Sequence, residues 1–405
     1  MSGWLLRRAA VRPRVLVVGC PYGTRVRLLA EAEAGRRGWA AARAPAEAGV
    51  LVVCGTPGDE MAAAVDHVWD DMPGPRALAE LAPDVPESEV AAALDRAVEV
   101  LGDERAQDAD RPAGMSGARG ADRPAGMSGA RGADRPAGMS GVAGGDRSAG
   151  PPGERTHGGD GHMGAAGGVG MAARGPDRDG LQLDRLHVPL GPVLADWPAG
   201  LVVETVMQGD VIQEAVVRVV PPGRPGGVGF WDEPRRRAGG VRREEAGRRA
   251  AAARLDSLGR LLGVAGWPAA ARDARSLRDR LLAGSSAASV RRDYERFSRR
   301  VRRSRVLRWM LRGAGVVDGG PGWMRGDVLD RAYRWLDSAG AALDALDGRT
   351  RAGAAGHFDG STPVAALSLL PGLLAGAELA VGRLVVASLD PDVEQLPAGP
   401  AVASE

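Results

Sequence analysis

Arg14-Val15-Leu16-Val17-Val18-Gly19, followed at once by Cys20-Pro21-Tyr22-Gly23-Thr24, decides how the first hundred residues fold. A short apolar run ending in glycine, then a loop of small residues, reads as a buried strand turning into a helix. Val50-Leu51-Val52-Val53-Cys54 is a second wholly apolar run of the same kind. Thr24 is placed to cap a helix over 24–43 with Leu28, Leu29 and Ala32 on one face. A second helix is predicted over 58–72, where Met61, Val65, Val68 and Met72 recur at helical spacing, and a third over 86–101. Strands alternating with helices predict a small doubly wound parallel sheet, an α/β domain over residues 12–102.

Beyond it the composition changes. Residues 109–120 read ADRPAGMSGARG, 121–132 repeat them identically, and 133–144 follow as ADRPAGMSGVAG. A short Gly- and Pro-rich period with methionine as its largest apolar side chain cannot bury enough surface to offset ordering entropy. Residues 103–180 are therefore expected to be a disordered linker. From 181 to 225 the period becomes that of strands, and apolar runs on either side of Gln208-Gly209-Asp210 predict an antiparallel β-hairpin. Residues 241–395 read as a mainly α-helical domain. Leu255, Leu258 and Leu262 form one stripe, which Gly266-Trp267-Pro268 ends, and Val290, Tyr294, Phe297 and Val301 form a second. A third runs from Val328 to Leu346, and a last helix is expected over 367–388.

Composition bounds the function. The chain has 405 residues, enough for two or three domains, and a net charge of +2 excludes a uniformly basic nucleic-acid binder. Two cysteines, Cys20 and Cys54, exclude a disulfide scaffold and a four-cysteine metal centre built from this chain alone. The five histidines show no metal-ligand spacing. His67, among Asp66, Asp70 and Asp71, reads as part of a solvated helix face. The apolar stretch 364–377 contains Pro371 and precedes Glu378, too short to span a bilayer. The apolar core before Cys20 is too short for a leader peptide. The protein is expected in the cytoplasm, or peripheral on the inner face of the membrane through a larger complex.

Three groups of residues are candidates for chemistry. The loop residues Gly19, Tyr22, Gly23 and Thr24 stand where backbone amides and a helix dipole attract an anion. They match no nucleotide-phosphate fingerprint, and a tight strand-to-helix turn is the competing reading. Cys20 sits where that helix terminus would activate a thiolate, or else serves as a structural thiol. Cys54 reads as a small buried hydrophobe. Third, 23 arginines face nine acids between 231 and 312. Arg299, Arg302 and Arg303 are expected to dock an acidic protein partner. A solvated face is the plain alternative, and a basic regulatory or nucleic-acid-binding protein the third.

Ala48-Gly49-Val50-Leu51-Val52-Val53-Cys54-Gly55-Thr56 and then Trp69-Asp70-Asp71-Met72-Pro73-Gly74-Pro75 resemble the small cluster-bearing subunit of respiratory complex I and its hydrogenase relatives. That subunit has a strand ADLLIVAG and a helix ending YDQMPEP. The C-terminal part is similar to the large, quinone-site (49 kDa-type) partner subunit. The similarity lies in Gly191-Pro192, in Arg312-Gly313-Ala314-Gly315-Val316-Val317-Asp318, and in Leu370-Pro371 through Ala387-Ser388-Leu389-Asp390. The resemblance implies a flavodoxin-like N-terminal domain and respiratory or hydrogenase-type subunits as partners. It places Cys20 at a residual cluster-ligand position and Ala199 where the family histidine lines the quinone headgroup. Departures fall on the chemistry: one cysteine stands where the family has a pair, no further cysteine follows Cys54, and the histidine is missing. The expectation is a non-catalytic or auxiliary NADH–quinone oxidoreductase or hydrogenase-like homologue without a cofactor. The competing expectation is a true electron-transfer subunit whose missing ligands come from a partner.

Overall fold

The computed structural model describes residues 10–110, 174–176, 182–224, 227–232, 243–347 and 362–396. The repeats at 109–144 lie almost wholly outside the described residues, and so does most of the expected linker.

The two apolar runs form adjacent parallel strands, β1 (Arg14–Gly19) and β3 (Val50–Cys54), paired from Val15↔Val50 to Gly19↔Cys54. β2 (Ala40–Ala41) and β4 (Ala77–Leu81) complete a four-stranded parallel sheet of order β2-β1-β3-β4. All five residues of β3 are buried, because helices cover both faces. Val50, Val52 and Cys54 pack on α1 (Thr24–Arg36) and α3 (Glu87–Gly102) through Val26, Ala30, Val90 and Leu94. Leu51 and Val53 point the other way, onto Met61 and Val65 of α2 (Asp59–Asp71). This alternation is the period of two that a strand imposes.

Two expectations are corrected here. The first helix ends at Arg36 rather than running to 43, because Gly38 has a φ of +70°, a left-handed terminus that opens into β2. The expected linker is too long at both ends. Glu104–Ala109 form helix α4, whose following Asp110 takes Arg76 Nε at 2.6 Å while Gln107 bonds the Arg76 backbone. At the other end Arg174–Pro176 form strand β5.

The expected hairpin is present as β7 (Leu201–Gln208) and β8 (Val211–Val219), turning at Gly209 with φ +59°. It belongs to a larger sheet, antiparallel throughout, of order β5-β6-β7-β8 with β6 at Gln182–Leu190. The helices that follow are α5 (Arg243–Val264), α6 (Pro268–Leu282), α7 (Ala287–Arg303), α8 (Arg305–Leu311) and α9 (Val328–Leu346). The helix expected over 367–388 is two, α10 (Thr362–Leu374) and α11 (Leu379–Leu389). Gly376, at φ +79°, separates them, and its N–H donates to Ile212 O at 2.7 Å, so the break docks on the hairpin. The chain thus combines a parallel sheet, an antiparallel sheet and, among the described residues, eleven helices. The apolar stripes read from sequence all enter one large core, in which Leu255, Leu258, Val290, Phe297, Leu336 and Leu343 meet Leu201 and Ile212. Among the described residues no helix is long and apolar enough to cross a membrane.

The described residues before and after the expected linker belong to one compact unit. Val202 and Val220 of the antiparallel region share a core with Leu16, Val18, Cys20 and Met61 of the parallel one. Packing between the two sides is what builds the candidate site.

Candidate functional site

The loop after β1 is a tight turn closed on the end of β3. Cys20 N–H donates to Cys54 O at 2.8 Å and Gly23 N–H to Cys20 O at 2.9 Å. Tyr22 is left-handed at φ +65°, and a Cβ on Gly23 would overlap the Cys54 carbonyl, so glycine is required there. Thr24 opens α1 without capping it; Gly23 is the N-cap residue and supplies no side chain. The anion at this helix terminus comes from the chain itself. Glu394 Oε1 accepts from Thr24 N at 3.1 Å, and Oε2 accepts from Phe230 N at 3.1 Å. The side chain is buried, so a carboxylate 370 residues away satisfies the dipole and amides read from sequence as an anion site.

Cys20 is buried, and burial pushes its thiol up to about 12. Cys54 is also buried and raised well above the ordinary thiol range, first by burial and then by the charge of Glu31. Burial thus disfavours the thiolate at both positions, against the activation that the helix terminus would give Cys20. A [4Fe–4S] cluster takes four thiolates, and this chain supplies two cysteines, both buried. Among the described residues no group of three or more His, Cys, Asp or Glu side chains is placed to hold a metal ion.

The loop also touches the antiparallel region at the residues singled out by the resemblance. A Cβ on Gly19 would sit 3.5 Å from Ala199 Cβ, and one on Gly200 only 2.8 Å from Pro21 Cγ. Gly200 has φ +73°. Gly19 thus lies against Ala199, and Pro21 against Gly200.

Behind this contact lies a buried ionic cluster that sequence reasoning did not find. Asp256 on α5, 1% exposed, accepts from Arg27 Nη2 of α1 at 2.7 Å and from Arg278 Nη1 of α6 at 2.6 Å. Glu31, one turn beyond Arg27, takes Arg27 Nη1 at 2.6 Å and Arg278 Nη1 at 2.7 Å. Arg275 pairs with Asp196, and Gly263 leaves the room that the Asp196 carboxylate fills. Arg260 bridges to Asp390 at 2.7 Å, which also accepts from Ser257 Oγ at 2.5 Å. Burial alone would raise the acids. For Glu31 the facing Arg27, Arg278 and Arg275 more than reverse it, holding the carboxyl at about 2, and Asp256 is likewise held well below the usual range. The sequence signal was available in the i,i+4 pair Arg27/Glu31 on an otherwise apolar helix face, but their partners are 229 and 247 residues away.

Asp390 stands left-handed at φ +43° and starts the turn that carries Asp392 and Glu394 back to the loop. Asp392 Oδ1 accepts from Glu394 N at 3.2 Å and Oδ2 from Gln395 Nε2 at 3.0 Å. Removal from water, then the charge of Glu394, pushes the Asp392 carboxyl up to about 7. The buried Oε1 of Gln395 has no hydrogen-bond partner.

Of the arginines expected to dock a partner, Arg302 is committed within the fold: its Nη2 lies 2.6 Å from Asp337 and its guanidinium 5.0 Å from the Tyr333 ring. Arg299 and Arg303 are exposed and have no carboxylate within ion-pair distance among the described residues. They line a groove with Trp267, Arg296, Arg300 and Ser304, which includes no residue of the loop. His67 is exposed and bonds only its own helix, at Ala63 O.

No family model, curated protein or solved structure matches the chain.

Proposed function

We propose that the chain is a non-catalytic, auxiliary relative of the small and large subunits of the NADH–quinone oxidoreductase and hydrogenase class, joined in one polypeptide. The observation that carries this reading is the contact of Gly19 and Pro21 with Ala199 and Gly200. By resemblance these are the edge of a cluster loop and the edge of a quinone pocket, two features that belong together only when small and large subunits face each other. The parallel order β2-β1-β3-β4, with helices on both faces, supports the flavodoxin-like part of the resemblance. The same region supports the loss of chemistry. Glu394 fills the helix terminus, Ala199 offers no proton donor within the roughly 3 Å a headgroup would need, and the two cysteines are buried where the thiolate is disfavoured. What persists is a charge-locked interface, which suits a scaffold or assembly role beside respiratory or hydrogenase-type subunits.

The test is metal and sulfide analysis with a visible spectrum of anaerobically purified protein, together with a quinone-reductase assay. The expected result is neither cluster nor turnover. Iron and sulfide near four per chain, with a broad absorbance lost in Cys20→Ser, would replace this reading by the electron-transfer one.

A further inference from the structure

Residues 287–312 carry ten arginines and two carboxylates, a local charge of +8 in a chain whose total is +2. The chain's positive charge is therefore concentrated on α7 and α8 while the remainder is acidic. Arg296, Arg299, Arg300 and Arg303 recur at i, i+3, i+4 and i+7, so they form one stripe of α7. With Trp267 and Ser304 they line an open groove of about 490 Å³. Three of the nearby acids are taken up within the fold: Asp293 by Arg280, with Arg296 at 3.5 Å, Asp273 by Arg300 at 2.9 Å, and Asp337 by Arg302. That leaves Arg299, Arg303, Arg305 and Arg312 exposed without a carboxylate partner among the described residues. Like charges at i,i+4 destabilise a helix unless an anion offsets them.

The next turn adds a second kind of side chain. On α8, Leu307 and Leu311 are buried, which turns Val306 and Trp309 outward at 68% and 81% exposure. Val316, on the following loop, is 48% exposed. Trp309 and Val306 thus present exposed apolar surface on a short helix whose neighbours in sequence are Arg303, Arg305, Arg308 and Arg312. This arrangement suits a surface that offers a layer of anionic headgroups with an apolar interior beneath it.

We propose that this face docks directly on an anionic lipid bilayer, with headgroup phosphates among Arg296, Arg299, Arg300 and Arg303 and Trp309 and Val306 in the interfacial layer. Tryptophan is favoured at that depth because its ring is apolar and its N–H is polar. Attachment is peripheral and electrostatic, so it weakens as salt screens the arginines. It does not depend on the proposed relationship to oxidoreductase subunits.

Flotation of the full chain with phosphatidylcholine vesicles, with and without about 30% phosphatidylglycerol, tests it. Binding to the anionic vesicles is expected, with steep loss as salt rises, and little binding to the neutral ones. Each basic residue near such a surface is worth about fivefold, so R299E/R303E should weaken binding at least about 25-fold. Both positions are exposed, and an unchanged melting temperature verifies folding. Trp309→Phe should retain most binding but lose the blue shift of tryptophan emission that vesicles induce in the parent. R305Q/R312Q, which introduces no new charge, should also weaken vesicle binding. Equal binding to neutral vesicles, or no effect of either arginine pair, overturns the proposal. So does failure on anionic vesicles with salt-sensitive binding of duplex DNA or poly-glutamate through the same arginines, which would identify a nucleic-acid or acidic-protein surface instead.

Discussion

Asp256→Asn removes one charge from the centre of the buried cluster while keeping its shape. The carboxylate holds Arg27 at 2.7 Å and Arg278 at 2.6 Å, with Arg260 at 3.5 Å. Arg278 is wholly inaccessible to water. Breaking a buried ion pair costs about 3–5 kcal/mol because the surviving charge stays desolvated. Here Glu31 and Asp279 still face Arg278 at 2.7 Å each, so the low end, about 3 kcal/mol, applies. At about 2 °C per kcal/mol for a domain of this size or larger, calorimetry should show a melting temperature lower by roughly 6 °C. High salt should change the effect little, since the pair is buried. Arg27→Met and Asp256→Leu should each destabilise alone, and Arg27→Met/Asp256→Leu should cost clearly less than those two single losses added together. The cluster joins α1 to α5 and α6, so Asp256→Asn should also split the single transition, the parallel-sheet side melting first. A loss below about 2 °C, or strictly additive single and double variants, would refute the argument that these charges lock the two sides together.

Acid should act through the same groups. Glu31 and Asp256 have folded values below their unfolded ones, so their contribution is present above about pH 4 and is lost as pH falls towards 2, measurable by acid titration of near-ultraviolet circular dichroism. Asp392 runs in the opposite sense: its folded value of about 7 lies above the unfolded one, so stability falls as pH rises from about 4 to about 7. Asp392→Asn should therefore stabilise at pH 8, by about 1–3 kcal/mol, and have little effect at pH 4 in denaturant titrations. Glu394→Gln weakens the acceptor for Thr24 N and Phe230 N and should cost about 1 kcal/mol, with faster hydrogen exchange at the start of α1. Arg331 is 1% exposed and bonds Ser388 Oγ and the carbonyls of Met324, Gly326 and Gly315, so Arg331→Ala should cost about 3 kcal/mol or more in chemical denaturation.

Local pattern was enough for the elements whose neighbours are uniform. β1 and β3 are buried on both faces, so their apolar runs admit one reading, and their limits follow from the sequence. The stripe Val290, Tyr294, Phe297 and Val301 is buried as its spacing requires, because α7 sits on the surface of one large core. The loop Gly19–Thr24 was recognisable as a strand-to-helix turn, since only glycine tolerates the approach of the Cys54 carbonyl at Gly23. β4 was missed. Its alternation Ala77, Ala79, Leu81 uses side chains too small to announce a strand, and it forms by pairing with β3, an event outside its own segment.

Charge placement belonged to the tertiary structure. In sequence, Arg27, Glu31, Asp256 and Arg278 resemble dozens of other charged residues, and a solvated face is the natural reading for each. Their burial follows from α1 packing against α5 and α6, which brings opposite charges together from distant parts of the chain. The same holds for Glu394, whose carboxylate turns an apparent anion site into an internal contact. It also separates Arg302, tied to Asp337, from the exposed Arg299 and Arg303 on the same helix. Apolar periodicity is a property of neighbours along the chain, so sequence determines it. An ionic partner is chosen by which helices cross, and that is settled only when the core closes.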